Sequence, residues 1–206
     1  MPAWFLFSLL AAFGGWASIS LDDLPDYAVA RQPLTLTFVV RQHGFTPLNG
    51  LEPRVEAEAR GQETIAATAA RSGDAGRYTA TLNLPQAGEW TITIHSGFGN
   101  SRVTLLPMAV IAPGGTAPVA LAAAERGRRL FAAKGCVACH VHASVPGSGM
   151  VAAGPDLTEK RLGADYLRQF LANPAMRTQK MPNLGLSEPA IAALSAFLSG
   201  GSGKAE

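Results

Sequence analysis

The only two cysteines of this chain are separated by two residues and followed at once by a histidine, in Cys136-Val137-Ala138-Cys139-His140. Cys-x-x-Cys-His is the attachment pattern of a c-type haem. Two thiols at this spacing share one tight turn, where both can add to the vinyl groups of one porphyrin, and the next imidazole then reaches the iron. The motif predicts one covalent haem c, with thioether bonds from Cys136 and Cys139 and with His140 as an axial ligand.

Two other readings of the motif lack support elsewhere in the sequence. A thioredoxin-like redox pair needs a βαβ context, which the flanking residues do not provide, and it leaves His140 without a role. A zinc site built on Cys136 and Cys139 needs further ligands, and no second cysteine pair exists in the chain. Haem attachment uses both cysteines and leaves no disulfide.

Composition supports a folded chain of two unlike halves. The 206 residues are 48% hydrophobic and 16% charged, which allows a packed core and fits one large domain or two small ones. Residues 21–113 carry a net charge of −2, whereas residues 114–206 carry +4 and contain all four lysines. No basic block of the kind that binds nucleic acid occurs, so a nucleic-acid partner is excluded.

The N-terminus carries no charged side chain from Pro2 to Leu21. This run is close to the roughly 20 apolar residues that a membrane-spanning helix needs. Small residues around Trp16 and Ile19 offer cleavage points after Ala17 or Ser20, as in secretory signals. We assign residues 1–20 to a signal peptide or a membrane anchor. Either one predicts export, to the periplasm or to the outer face of the cytoplasmic membrane.

Residues 21–106 alternate between apolar and polar positions, which is the pattern of half-buried β-strands. Turn-forming segments rich in Gly, Pro, Asn and Asp separate these runs. Short alternating strands at this spacing predict an antiparallel β-sandwich of the immunoglobulin-like kind. The alternating runs are residues 34–40, 54–59, 78–84, 90–94 and 103–106, with 64–70 as a further strand in spite of its alanines.

One segment of this half carries a family resemblance. Asp74-x-Gly76-x-Tyr78 is similar to the tyrosine corner of immunoglobulin-like sandwiches, in which the tyrosine hydroxyl holds a loop. Residues 76–90 also resemble the YtkA-like or FixH-like β-sandwich family. That resemblance implies a setting near respiratory oxidase or copper-handling functions.

The first half has few residues that could bind copper. Blue-copper and binuclear copper centres need cysteine thiolates, and this half has none. His43, His95 and Met108 could form a thiolate-free site, but they are scattered with no ligand spacing. Surface and packing roles are the preferred interpretation of these three residues.

Residues 107–120 contain three prolines and two glycines without a charge, which predicts a linker. Beyond it, residues 121–206 contain three helical patterns, at 122–134, 164–173 and from Ser187 to Gly200. This region resembles a class I, mono-haem cytochrome c, an all-α fold. The family crosses its first and last helices through a small residue and aromatics, which Gly127, Phe131 and Phe197 match.

The same resemblance implies further site residues. Gly154-Pro155-Asp156-Leu157 matches the family motif in which the proline carbonyl accepts the N–H of the proximal imidazole, so Pro155 is expected to orient His140. Lys180-Met181-Pro182-Asn183-Leu184 resembles the loop that carries the sixth ligand. We expect Met181 in that position, with Met176 as the main alternative. Met150, His142 and Lys180 are further candidates for the sixth ligand. Met150 and His142 lie too close to His140 in the sequence to reach the opposite haem face.

These features predict one-electron transfer, with no substrate site at an iron that His140 and Met181 both ligate. The expected partner is a redox protein, such as an oxidase or dehydrogenase complex. Two alternatives stay open: a haem-based sensor or ligand binder with a labile methionine, and a non-catalytic subunit of a larger oxidoreductase. Basic residues of the second half could steer docking to an acidic partner; they are Arg126, Arg128, Arg129, Lys134, Lys160, Arg161, Arg177 and Lys180.

Overall fold

The protein is described here by a computed structural model covering residues 15–200. Two β-sheets form the first half, and the large side chains of Phe38, Tyr78 and Trp90 are fully buried in its core. One sheet has the order β1 (Ala17–Leu21), β3 (Pro33–Gln42), β8 (Arg77–Asn83) and β7 (Ala70–Arg71), with β4 (Thr46–Pro47) paired to β3. The other has the order β2 (Tyr27–Val29), β11 (Met108–Ile111), β9 (Gly88–His95), β5 (Arg54–Glu58) and β6 (Ile65–Thr68), with β10 (Arg102–Thr104) on β9.

Alternation along the strands explains the two layers. In β8 and β9 every second side chain is buried, so one face of each strand meets the core. Threonines occupy the other face of β3 and β8 and pair across them, with the hydroxyls of Thr37 and Thr79 2.9 Å apart. Among residues 15–200, the strand pairs are antiparallel except that of β2 with β11. The predicted antiparallel sandwich is confirmed, with this one parallel pair added.

The tyrosine corner forms as the sequence indicates. The Tyr78 hydroxyl donates to Leu48 O at 2.8 Å and accepts from Leu51 N at 3.1 Å. The side chain is 1% exposed, so its polar tip is satisfied by the loop that crosses above it. Tyr78 thereby fixes the connection between β4 and β5.

Two predicted boundaries need correction. Residues 17–20 of the predicted leader or anchor belong to strand β1 (Ala17–Leu21), whose five residues are all buried and which pairs with β3. The two predicted cleavage points therefore lie within a core strand, and the sandwich begins before residue 21. Met108–Ile111, placed in the linker, is strand β11. An uncharged apolar run has the same composition in a leader, a linker and a buried strand, so composition could not separate them. Residues 1–14 of the predicted leader lie outside the described residues.

The second half folds into three helices, as predicted: α1 (Ala123–Ala133), α2 (Ala164–Ala172) and α3 (Glu188–Gly200). Helix α1 crosses α3 at Gly127, where a Cβ would lie 2.7 Å from Phe197 Cβ. The rings of Phe131 and Phe197 meet edge to face, with centroids 5.8 Å apart. The all-α cytochrome c fold is confirmed. None of the helices within residues 15–200 has the length and apolar character needed to cross a membrane.

Candidate functional site

The attachment motif lies on a turn that begins where α1 ends. Gly135 adopts a left-handed conformation, with φ of 78°, and its N–H donates to Ala132 O at 3.0 Å. A single 3₁₀ turn follows over Cys136–Ala138, and His140 N donates to Cys136 O at 2.9 Å. The two thiols thus come from one turn, and His140 follows directly. Both cysteines are free and partly buried.

The electrostatic setting of the thiols differs from that of a redox pair. Burial raises the pKa of the Cys136 thiol to about 12, and burial also raises the pKa of Cys139. Thioredoxin-like cysteines need a lowered pKa, since the thiolate is the reactive form. The desolvated turn therefore disfavours disulfide exchange and leaves both sulfurs as neutral thiols at neutral pH.

His140 is held by the backbone around Pro155. Its Nδ1 lies 3.0 Å from Pro155 O, and because a carbonyl only accepts, Nδ1 carries the proton. The ring packs directly on Gly154, where a Cβ would come within 2.6 Å of Nδ1. Gly154 N donates in turn to Cys139 O at 3.0 Å. This arrangement fixes the tautomer that leaves Nε2 for a metal, and it places Pro155 where the resemblance implied.

The candidates for a sixth ligand differ in their surroundings. Met181 is partly buried and packs against the hydrophobic core, which Cys136 also contacts. Met176 is 80% exposed and Met150 is 42% exposed, so neither is enclosed by the fold. Lys180 is exposed. Of these four side chains, Met181 is the one that packs against the core.

His142 has a packing role that sequence reasoning missed. It is 1% exposed, and its ring centroid lies 4.4 Å from that of Phe197 and 5.9 Å from that of Phe131. The Ser144 hydroxyl lies 3.0 Å from Nδ1. Burial lowers the pKa of His142, which favours the neutral ring. His142 completes the aromatic cluster at the helix crossing, which no local sequence signal indicates.

The three residues considered for copper have separate partners. His95 Nε2 lies 2.9 Å from Glu56 Oε2, the His43 ring packs at a tilt on Trp16 with centroids 5.5 Å apart, and Met108 is buried in the sandwich. Within residues 15–200, no group of three or more His, Cys, Asp or Glu residues is placed to hold a metal ion. Packing and surface roles account for all three.

Half of the basic residues expected to steer a partner are engaged within the chain. Arg126 pairs with Asp26 of the sandwich, and Lys134 Nζ donates to the carbonyls of Leu21 and Asp22 at 2.8 and 2.7 Å. Glu125 binds the other two basic residues of α1, Arg128 and Arg129. The expectation that these four would be free for docking is wrong: the partners of Arg126 and Lys134 lie in the sandwich, whereas Glu125 pairs with Arg128 and Arg129 across one turn of α1. The exposed members of the set are Lys160, Arg161, Arg177 and Lys180.

A family of known proteins matches the second half of the chain. The family described as cytochrome c oxidase, cbb3-type, subunit III matches residues 122–198. No curated protein sequence matches the chain.

Solved structures align with just under half of the chain. The Lin-41 filamin domain is 14% identical with a TM-score of 0.36, over 48% of this chain and 93% of that one. The surface layer protein SbsC, domains 1–6, is 26% identical with a TM-score of 0.34, over 48% of this chain and 13% of that one. A superoxide reductase (neelaredoxin) from Ignicoccus hospitalis is 16% identical with a TM-score of 0.29, over 45% of this chain and 79% of that one. At TM-scores this low the alignments do not identify a fold.

Proposed function

We propose that this chain carries one covalent haem c, bound by Cys136 and Cys139 and ligated by His140 and Met181, and that it transfers single electrons. The observation that carries the proposal is the orientation of His140. Its Nδ1 is occupied by Pro155 O while its ring rests on Gly154, so Nε2 is the nitrogen left for iron, and His140 directly follows the turn with the two free thiols. A turn with two unpaired thiols followed by a pre-oriented imidazole suits the attachment of a c-type haem.

Each of these residues would have a separate role toward the haem. Haem iron supplies a ferric/ferrous couple. Cys136 and Cys139 fix the porphyrin edge, and Pro155 keeps His140 in one tautomer. The Met181 thioether favours the ferrous state and raises the reduction potential. With both axial positions taken by protein, this chain would act as an electron carrier or electron-transfer subunit and not as an enzyme.

The proposed partner is a respiratory oxidase complex. The family matched by residues 122–198 is described as a subunit of a cbb3-type oxidase. The resemblance of residues 76–90 to YtkA-like or FixH-like domains, which occur near such functions, supports the same partner. Haem attachment and the uncharged N-terminal run both favour a location outside the cytoplasmic membrane, in the periplasm or on its outer face.

A double variant tests haem attachment. The chain is expressed with c-type haem attachment machinery, and haem is stained after denaturing electrophoresis. We expect stain in the wild type and none in Cys136→Ala/Cys139→Ala. Stain retained by the double variant would contradict the proposal.

The absorption spectrum of the wild-type holoprotein then distinguishes a carrier from a sensor. Carbon monoxide should leave the spectrum of a stable His/Met carrier unchanged, whereas it should bind a sensor with a labile methionine and change its spectrum.

A further inference from the structure

The first sheet of the sandwich lies against the attachment turn. The β1 backbone passes so close to Gly135 that a Cβ there would lie 2.5 Å from Ile19 O. Gly135 directly precedes Cys136. The neighbouring Lys134 ammonium caps the carbonyls of Leu21 and Asp22, at the end of the same strand. Strand β1 therefore packs directly against the segment that carries the thiols and His140.

The same sheet also contacts the segment that carries Met181, through the turn between β3 and β4. His43 and Gly44 of this turn both have left-handed backbones, with φ of 52° and 84°. Gly44 is buried, and a Cβ there would lie 3.3 Å from Cγ of Pro182, the residue after Met181. The Trp16 ring also lies near this position, 4.0 Å from the same Cβ. The turn thus approaches Pro182 too closely for a side chain at residue 44 to fit without displacing it.

These two contacts belong to one stiff unit. Strands β1 and β3 pair over five residues, from Ala17 with Gln42 to Leu21 with Phe38, and His43 N donates to Trp16 O at 3.1 Å. Phe38 and Val40 are 0% exposed, so β3 is anchored in the core. Because packed cores resist deformation, the spacing between the Gly135 contact and the Pro182 contact is fixed by the sheet.

The segment around Met181 has little support of its own. Within residues 15–200, positions 179–187 donate no backbone hydrogen bond to a backbone carbonyl. Lys180 N donates to the Thr178 hydroxyl and Gly185 N to the Asn183 side chain, both two residues away. Loops held only by local bonds open at low free-energy cost. Contacts from outside the loop therefore decide how often it opens.

We propose that the β3–β4 turn, through Gly44, is a positioning element for the loop that carries Met181. This inference rests on the proposed ligation of iron by His140 and Met181. Opening of the loop would move Pro182 away from this turn and would draw Met181 away from an iron that it ligates. A contact present only in the closed state shifts the population toward it. The sandwich then determines how firmly the sixth ligand is held, although it contributes no ligand itself.

A matched pair of variants tests this role in the holoprotein. Gly44→Leu pushes a side chain onto Pro182, whereas Gly50→Leu bears a similar backbone strain, at φ of 71°, with no atom within 4 Å of its Cβ. The readouts are the affinity of ferric haem for imidazole and the methionine–iron absorption band. We expect Gly44→Leu to bind imidazole about tenfold more tightly, with a weakened band. Gly50→Leu should resemble the wild type, and an equal change in both variants would overturn the proposal.

Smaller substitutions keep the test decisive if Gly44→Leu yields no holoprotein. Gly44→Ala places only a Cβ against Pro182, and Gly50→Ala is its control. We expect imidazole affinity to rise about two- to threefold in the first alone, together with faster hydrogen exchange over residues 179–186. No difference between the two alanine variants would refute the positioning role.

Met181→Ala separates this inference from the proposed function. If Met181→Ala leaves both the band and imidazole affinity unchanged, the ligand assignment fails and the positioning role fails with it. If Met181→Ala changes both readouts and Gly44 variants change neither, only the positioning role fails.

Discussion

Gly127 of α1 lies directly on Ala193 of α3: a Cβ at residue 127 would come within 2.6 Å of the Ala193 carbonyl carbon. Gly127→Ala must therefore separate the two helices or distort α1. We expect a loss of about 3 kcal/mol in the free energy of unfolding, since overpacking a rigid backbone contact outweighs alanine's better helix propensity. Thermal unfolding measures it. Gly200→Ala, at an open helix end, is the control and should change stability little.

Gly154→Ala is predicted to disturb His140 without touching the cysteines. The new Cβ would occupy the position of the imidazole and break the bond from Nδ1 to Pro155 O. Because such supporting contacts orient a metal ligand, we expect the yield of mature holoprotein to fall severalfold. The measurement is haem stain normalised to total protein. Gly163→Ala, which meets no atom within 4 Å, should retain the wild-type yield; equal losses would argue against a role for Gly154.

Met181→Ala is expected to open the sixth position of the iron. Loss of the thioether should lower the reduction potential by roughly 0.1–0.3 V, a part of the about 0.8 V over which axial ligands act. A redox titration monitored by absorbance gives the value. Met176→Ala is the control, since that side chain is 80% exposed. If Met176→Ala lowers the potential instead, the ligand is Met176.

The Glu125 carboxylate gives α1 a pH-dependent contribution. Hydrogen bonds from Arg128 first, and then the charges of Arg128 and Arg129, lower the pKa of Glu125 below its unfolded value. The stabilisation is present above the unfolded pKa and is lost as pH falls through the folded one. Glu125→Gln should therefore cost about 0.5–1 kcal/mol at pH 7 and little in strong acid. Unfolding titrations from pH 7 to 2.5 measure this, with the exposed Glu63→Gln as control.

Lys180 is predicted to assist association with an acidic redox partner. It is exposed and neighbours the proposed ligand Met181, whereas the basic residues of α1 are engaged within the chain. We expect the second-order electron-transfer rate to fall with rising ionic strength, and Lys180→Glu to slow it severalfold at low salt only. Arg60→Glu, exposed on the sandwich, is the matched charge reversal. A flat salt profile with an unaffected Lys180→Glu rate would place docking elsewhere.

Sequence reasoning succeeded where short-range rules determine structure. Alternation over residues 78–84 and 90–94 predicted β8 and β9, because half-buried strands have a period of two. Gly135 marked the end of α1, because a left-handed residue there favours glycine. The Tyr78 corner followed from the local Asp74-x-Gly76-x-Tyr78 motif, although the hydroxyl reaches Leu48 and Leu51 in the connection between β4 and β5.

Sequence reasoning failed where contacts between distant segments determine which residues are buried or paired. The apolar residues of β1 are buried by β3 and by the second half of the chain, and nothing local distinguishes them from a leader. The partner of Arg126 lies in the other half of the chain, as does that of Lys134. The contact of Gly44 with Pro182 joins two turns whose proximity depends on how the halves pack. Charge counts and periodicity do not predict such long-range pairings.

Strand β1 is the outermost strand of its sheet, and its outer side meets Gly135 and Lys134. An uncovered strand of this kind offers unpaired backbone groups to other chains and invites edge-to-edge aggregation. Here the helical half occupies that position, with the Lys134 ammonium taking up two carbonyls that a foreign strand could otherwise engage. The helical half thus also covers the open edge of strand β1. A sandwich separated from it should be prone to self-association through that edge.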